Sequence, residues 1–233
     1  MHLVVMTGAG ISADSGVRTF RDSDGLWEGH RPEDVATPDA WIRNPTLVWR
    51  FYQERRAQLA TVKPNPAHTA LAKAAEQLAA RGDRLTLVTQ NVDDLHERAG
   101  STAIHMHGEL AVLRCERCGN KEHGLDRVQV DQFINCSCCE HKLRPDIVWF
   151  GEVPYHLDQI ESALLDCSHF LAIGTSGQVY PAASMLQIAR ERGAKTYVQA
   201  LELPSNADAR DSFTAGRAAQ VVPELLTHIT QAR

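Results

Sequence analysis

A chain of 233 residues, 43% of them apolar, is long enough for one large domain, or one domain with a small insert, around a full hydrophobic core. Its 24 lysines and arginines against 29 acids leave a formal charge of −5, which gives no support to a general nucleic-acid or membrane-surface role. No apolar run reaches the length of a membrane span, and a strand begins soon after Met1, so the reading expects no leader peptide and a cytoplasmic setting. There, six cysteines are expected to bind metal or stay reduced rather than form disulfides.

The first unit reads as strand, turn and helix start. Leu3-Val4-Val5-Met6 is the strand, and the turn runs from Thr7 to Gly16. Gly8 and Gly10 fit a dinucleotide-type turn, with Ala13 at the third, permissive position. Such a turn lets backbone N–H groups approach a phosphate. The acid expected about twenty residues later would have to end a second strand, and nothing from Trp27 to Asp34 resembles one. Alone, the turn serves equally as a plain strand–helix junction. The segment Val17 to Trp27 carries Arg18, Phe20 and Arg21, suited to closing over a ligand; the plainer reading is a surface loop.

Helices are expected over Pro38–Ile42, Pro45–Ala60 and Pro66–Ala80. Tyr52 and Arg55, three apart, share a face of the second. Arg84 to Thr89 is a buried strand that breaks into Gln90-Asn91-Val92-Asp93. A parallel strand ending this way delivers polar groups to the carboxyl edge of a sheet, where open α/β folds bind ligands. His105-Met106-His107-Gly108-Glu109 follows a second short strand, Thr102-Ala103-Ile104. If the two turns meet, His107 lies beside Asn91 and Asp93, an acid/base arrangement. His105 falls on the opposite strand face and reads as structural.

An insert begins at Leu113 and ends at Leu143-Arg144-Pro145. Cys115, Cys118, Cys136 and Cys139 form a Cys-x2-Cys-x17-Cys-x2-Cys pattern, within the range of a tetrahedral zinc site. Four thiolates leave no open coordination position, so the metal is expected to be structural, contributing roughly 10–16 kcal/mol of apparent binding energy to folding. Cys138 leaves the second pair ambiguous, and Cys167 reads as a small buried residue.

The main sheet is expected to resume at Ile147–Glu152. A helix over Leu157–Leu165 then leads to a strand over Phe170–Ile173, which ends in Gly174-Thr175-Ser176-Gly177. A helix over Ala182–Arg192, a strand over Lys195–Ala200, and Val221-Val222 before a closing helix from Pro223 complete the chain. The alternation predicts a Rossmann-like, doubly wound parallel α/β sheet with a smaller inserted helical and zinc-binding domain. The expected boundaries are 1–24, 84–112 and 145–233 for the nucleotide-binding domain, with 25–83 and 113–144 forming the small one.

Together these motifs resemble the sirtuins, NAD-dependent protein-lysine deacylases. The likeness rests on Gly8-Ala9-Gly10-Ile11-Ser12, Thr19-Phe20-Arg21, Thr89-Gln90-Asn91-Val92-Asp93, His107-Gly108-Glu109, the four cysteines, Leu143-Arg144-Pro145, Val148-Trp149-Phe150-Gly151-Glu152 and Gly174-Thr175-Ser176. Arg18-Thr19-Phe20-Arg21 with Tyr52-x-x-Arg55 resembles the class III branch, which includes desuccinylases.

The resemblance implies NAD as co-substrate and one structural zinc. It implies that Gly8, Ala9, Gly10 and Ser12 cradle the pyrophosphate with Arg21 nearby, and that Phe20 shields the ribose. Ile11 and Val92 would line the nicotinamide pocket, with Gln90, Asn91 and Asp93 on the riboses and carboxamide. Gly174, Thr175 and Ser176 would hold the adenosine side, Ala218 would border adenine, and Trp27 would join the cofactor set. His107 would be the base, with Asn91 beside it in the catalytic set. Val148, Phe150, Gly151 and Val179 would flank an acylated-lysine peptide added as a strand. Tyr52 and Arg55 would bind an acyl carboxylate. Ala200 stands where the family usually has Asn, and no site residue is assigned between Asn206 and Phe213.

Three other readings compete. Mono-ADP-ribosyl transfer would use the same co-substrate. A zinc-ribbon nucleic-acid module would need a basic, aromatic insert, but Arg117, Lys121 and Arg127 face Glu116, Glu122, Asp126 and Asp131, with Phe133 the lone aromatic residue. A nicotinamide dehydrogenase lacks its second-strand acid.

Overall fold

The computed structural model describes residues 1–17 and 29–231. In chain order its strands are β1 (His2–Thr7), β2 (Arg84–Thr89), β3 (Ala103–His105), β4 (Gly108–Cys115), β5 (Lys121–His123), β6 (Leu143–Ile147), β7 (His169–Ile173), β8 (Lys195–Ala200) and β9 (Ser212–Ala215). The helices are α1 (Pro32–Val35), α2 (Pro38–Arg43), α3 (Pro45–Leu59), α4 (Pro66–Ala79), α5 (Leu95–Arg98), α6 (Leu157–Leu165), α7 (Ala182–Glu191) and α8 (Ala218–Gln231).

The main sheet runs β3-β2-β1-β7-β8-β9, all parallel. β1 is central because it is buried along its whole length and apolar on both faces. Leu3 and Val5 meet Leu71 and Leu78 of α4 and Val222 and Ile229 of α8. Val4 and Met6 meet Ile160 and Leu164 of α6 and Leu186 of α7 on the other side. The strand order reverses between β1 and β7, so a crevice opens at their carboxyl ends. Thr7 pairs in register with Thr89 and with Ile173, so all three strands end level.

The second unit is a three-stranded antiparallel sheet, β5-β4-β6, packed against α2 and α3. Trp41, Trp49, Phe51 and Tyr52 fill its core with Leu113, Leu143 and Trp149. Asn44 caps α3 by accepting the Leu47 N–H at 3.2 Å, with Pro45 in the first turn. Arg56, 1% exposed, pins α3 to the sheet through the Leu110 and Gly124 carbonyls, each at 2.6 Å.

Four expectations change. Ile147–Glu152 does not rejoin the main sheet: Leu143–Ile147 is β6, antiparallel to β4, and the residues after it form a loop. That apolar run is spent on the small core, where Ile147 and Trp149 lie. α4 belongs to the main-sheet core rather than to the helical insert, since Leu71 and Leu78 cover β1. Gly108 opens β4 of the small sheet, so residues 108–112, expected with the main sheet, lie in the small one. The closing helix starts at Ala218 and carries Pro223 inside it, because Val222 packs as a helical residue against Leu171 and Ile173. β9 was not anticipated; it is a short edge strand beside β8. Among the described residues, no helix is long and apolar enough to cross a membrane.

His68 of α4 and His96 of α5 are fully buried, with ring centroids 5.0 Å apart. Burial lowers His68 to about 4. Burial, helped by the charge of His68, lowers His96 to about 3. The unfolded chain takes up protons at both as pH falls through the ordinary value of 6.5, and the folded chain does not. Stability therefore falls with pH below that point. His105 is shifted the other way, upward, so near 6.5 it opposes this slope, and well below 6.5, where both states are protonated, it adds none. We expect the urea midpoint to drop steadily from pH 6.5 to about 5, and a His68→Gln/His96→Gln chain to show a flatter profile.

Candidate active site

The crevice is built on a contact between backbones. Gly8 N–H donates to the Ile173 carbonyl and Gly10 N–H to the Gly174 carbonyl, both at 2.9 Å. A Cβ at Gly10 would lie 2.7 Å from the Gly174 Cα, and one at Gly8 would lie 2.8 Å from its oxygen. Gly174 itself has a φ of +60°, and a Cβ there would sit 2.5 Å from the Ile11 nitrogen. The glycines thus let the turns after β1 and β7 touch. Ala9–Ile11 and Ala13–Ser15 are short 3-10 turns rather than the expected α-helix start.

Ser12, fully buried behind this turn, has every hydrogen-bonding position filled. Its Oγ donates to Asp93 Oδ2 at 2.9 Å. It accepts from Asn91 Nδ2 at 3.2 Å and faces His68 Nε2 at 3.4 Å. His68 Nδ1 accepts the Asn65 backbone N–H at 3.3 Å, which leaves the proton on Nε2. Asn91 Nδ2 also reaches the Gly8 carbonyl at 3.2 Å. Burial pushes the Asp93 carboxyl upward, against hydrogen bonds from Ser12 and the Leu95 backbone. Deeper, Thr7 Oγ1 donates to Thr89 Oγ1 at 2.9 Å and meets His96 Nε2 at 3.0 Å, and Thr89 Oγ1 accepts the Asn91 N–H.

The two expected turns do meet. His107 Nδ1 lies 3.0 Å from the Gln90 carbonyl oxygen. A carbonyl only accepts, so Nδ1 carries the proton and Nε2 of the neutral ring keeps its lone pair. Among the described residues Nε2 has no hydrogen-bond partner. Burial lowers the His107 pKa below the ordinary 6.5. His105 is a contrast. Its nitrogens face the Asn91 carbonyl at 3.2 Å and Glu97 Oε1 at 3.1 Å, both acceptors. Burial opposes its charge, but Glu97 outweighs that and raises the pKa. It braces the Asn91 backbone as a cation.

Gln90 Nε2 donates to Thr175 Oγ1 at 3.2 Å, joining the β2 and β7 turns. Ser176 Oγ accepts the Gln178 N–H. Ala218 is buried at the first turn of α8. Phe20, Arg21 and Trp27 lie outside the described residues.

On the small-domain side, Val148 N–H donates to the His107 carbonyl and Phe150 N–H to that of Ala36. Phe150 is half-exposed, Gly151 has a φ of +93°, and Val179 precedes the exposed Tyr180. Tyr52 is fully buried, and its phenol oxygen accepts the Trp149 indole N–H at 3.0 Å. Arg55 lies with its guanidinium 3.2 Å over the Phe51 ring. Arg56 is committed to backbone carbonyls, which leaves Arg55 as the cation beside Tyr52.

The four cysteine sulfurs at positions 115, 118, 136 and 139 lie within 4.8 Å of one another. Sγ–Sγ contacts of 3.5 and 3.6 Å suit the edges of a thiolate tetrahedron around zinc, with Zn–S of about 2.3 Å. They are far too long for a disulfide. Cys138 is exposed and outside the cluster; its backbone N–H donates to Cys136 Sγ, so Cys136 and Cys139 form the second pair.

Several residues that shape the site were not foreseen. Asn65 caps α4 through the Ala67 N–H and donates to the Ile11 carbonyl at 2.7 Å. Asn65-Pro66 before a helix signals a cap, but nothing local points to a partner 54 residues away. His68 and His96 look like ordinary helical residues. Arg144, 2% exposed, grips both Glu152 oxygens at 2.9 and 3.0 Å.

The model of the Sir2 family matches residues 8–181. An NAD-dependent protein deacylase of Shewanella oneidensis is 48% identical over 237 aligned residues, covering 100% of this chain and 96% of its own. One from Leishmania major is 52% identical, covering 95% and 92%. A solved Sir2 homologue–NAD complex is 40% identical with a TM-score of 0.89, over 99% of this chain and 90% of that one. A solved Sir2 bound to acetylated peptide is 29% identical with a TM-score of 0.81, over 97% and 92%.

The sulfur cluster is open to a direct check. Metal analysis should find one zinc per chain. Cys118→Ser should lose it and lower the thermal midpoint by many degrees, while Cys138→Ser keeps both the zinc and the midpoint.

Proposed function

The chain belongs to the Sir2 family, and from that premise we propose that it is an NAD-dependent protein-lysine deacylase, acting on acetyl-lysine and, through Tyr52 and Arg55, on succinyl- or malonyl-lysine. The observation that carries this reading is His107, whose Nδ1 is tied to the Gln90 carbonyl, so that the base-competent nitrogen is Nε2. NAD, when bound, supplies the sugar carbon to which the acyl oxygen bonds as nicotinamide leaves; with one water taken up, the products are nicotinamide, free lysine and O-acyl-ADP-ribose.

His107 then takes a proton from a ribose hydroxyl at Nε2. Gly8, Ala9, Gly10, Ile11 and Ser12 approach the pyrophosphate and nicotinamide end. Gln90, Asn91, Val92 and Asp93 orient the riboses and carboxamide; Gly174, Thr175, Ser176 and Ala218 take the adenosine side. Polar side chains already fixed by one another lose little freedom when a ligand arrives, which favours this assignment. The peptide would run between Val148–Gly151 and Val179. An acyl carboxylate would meet the guanidinium fork of Arg55 and the phenol of Tyr52. Mono-ADP-ribosyl transfer is the less favoured reaction, because the relatives described above are named deacylases. A cytoplasmic setting fits the cluster of reduced thiols.

The deciding experiment is mass spectrometry of acetyl-, succinyl- and malonyl-lysine peptides with and without NAD. Release of acyl groups without NAD, or labelling of protein with no free lysine, would reject the reading. His107→Ala should lower kcat/KM by roughly 10²–10⁴. Because burial lowers the His107 pKa, the acid limb of the wild-type kcat/KM profile should lie below pH 6.5. Arg55→Met should abolish desuccinylation while deacetylation persists; equal losses on both peptides would refute the carboxylate assignment.

A further inference from the structure

Two histidines hold two successive carbonyls of the turn after β2. His107 Nδ1 donates to the Gln90 oxygen at 3.0 Å, and His105 Nδ1 faces the Asn91 oxygen at 3.2 Å. The chemistry above uses the first and gives the second no part. The His105 ring is 7% exposed, and its Nε2 lies 3.1 Å from Glu97 Oε1. That oxygen also accepts the Ala103 N–H at 3.2 Å, so β3 itself places Glu97. A carbonyl and a carboxylate both accept. A ring between them satisfies both only with a proton on each nitrogen.

Asn91 is what this bond fixes. Its N–H donates to Thr89 Oγ1 at 3.0 Å, and its side-chain amide donates to the Gly8 carbonyl and Ser12 Oγ, each at 3.2 Å. These bonds tie Asn91 to β2 and the β1 turn, and the His105 bond secures its carbonyl. When the ring gives up one proton, the charged acceptor Glu97 keeps the other on Nε2. Nδ1 then turns a lone pair toward an oxygen 3.2 Å away, and attraction becomes repulsion.

We propose that His105 is a positioning residue for the reaction: doubly protonated between Glu97 and the Asn91 carbonyl, its ring holds the β2 turn in the form that binds NAD, and loss of one proton at alkaline pH loosens that turn. This rests on the assignment of Gln90–Asp93 to NAD. Glu97, Glu109, Asp93, Asp94 and the neutral His96 surround the ring. Burial opposes its charge, but Glu97, with Glu109 behind it, outweighs burial and keeps the charge to above pH 6.5. The same charge favours ionised Asp93, which burial pushes the other way.

The test measures NAD affinity by calorimetry, with NAD alone, and kcat/KM for NAD at saturating acetyl-lysine peptide, from about pH 6.5 to 9.5. Wild type should bind NAD more weakly as pH rises, over the range in which the NMR shifts of the His105 ring titrate. His105→Leu should bind NAD about tenfold more weakly at neutral pH, the scale of a lost hydrogen bond from a charged group, and show no alkaline limb. His105→Asn keeps a donor where Nδ1 stands and does not titrate. It should recover most of that loss and also lack the limb. Glu97→Gln keeps the acceptor without its charge and should move the limb about one pH unit lower. A wild-type affinity that stays flat overturns the proposal, as does a limb that persists in His105→Asn. So does His105→Leu binding NAD as wild type does, or a loss that Asn leaves unrecovered, which marks packing alone. Should His105→Leu fold poorly by thermal midpoint, Glu97→Gln decides, and a limb left in place overturns the proposal. No NAD binding by wild type at any pH instead removes the assignment on which this one stands.

Discussion

Two backbone turns, after β1 and β7, touch with no side chain between them, and the site depends on that approach. Gly10 and Gly174 come so close that a single methyl group on either would collide with main-chain atoms. Main-chain atoms cannot swing aside as a side chain can, so the contact is rigid. It sits where the strand order reverses, and it fixes the relative height of the β1 and β7 turns. The β2 turn joins through Gln90 and Thr175, and through Asn91 and the Gly8 carbonyl. Three strand ends are thereby locked into one surface before any ligand arrives.

Behind that surface most of the polar groups pair with one another, His96 Nδ1 being an exception. Ser12 is saturated, Asn65 holds the turn from α4, and His105 supports the Asn91 carbonyl. Three buried histidines near one another have different charge states for plain reasons. His68 and His96 are buried without a carboxylate on the ring and stay neutral; His105 faces Glu97 and is charged. His107 stands at the edge of this set, with one nitrogen bound and the other without a hydrogen-bond partner among the described residues. Buried polar networks are costly when incomplete, so their near-complete pairing here also restricts the turns to one arrangement.

What the sequence made legible was local. The cysteine pairs carry their geometry in their spacing, and only whether Cys138 replaces Cys136 or Cys139 needed coordinates. The polar break after Thr89 and the His107 turn announced a sheet edge. The hidden parts depend on distant partners. Asn65 looks like a helix cap and is also a strut for Ile11. Ile147-Val148-Trp149-Phe150 has the composition of a core strand, yet its backbone bonds go to His107, Ala36 and Glu152. β9 is too short and too exposed to register as a strand outside the sheet it borders. Val222 sits in a helix although β-branched residues favour strands, because a buried face decides the matter over propensity.

β4 begins at Gly108, one residue after His107, and ends at Cys115 within the sulfur cluster. It therefore works as a ruler between the two. Adding or deleting one residue along it would move every later side chain to the other face and separate the knuckle from its partners. The segment between β5 and Ile134 is loop, but it is tied to α3 through Gly124 and Gln129 and to the aromatic core through Phe133. Among related chains the span from His107 to Cys115 should therefore keep a constant count.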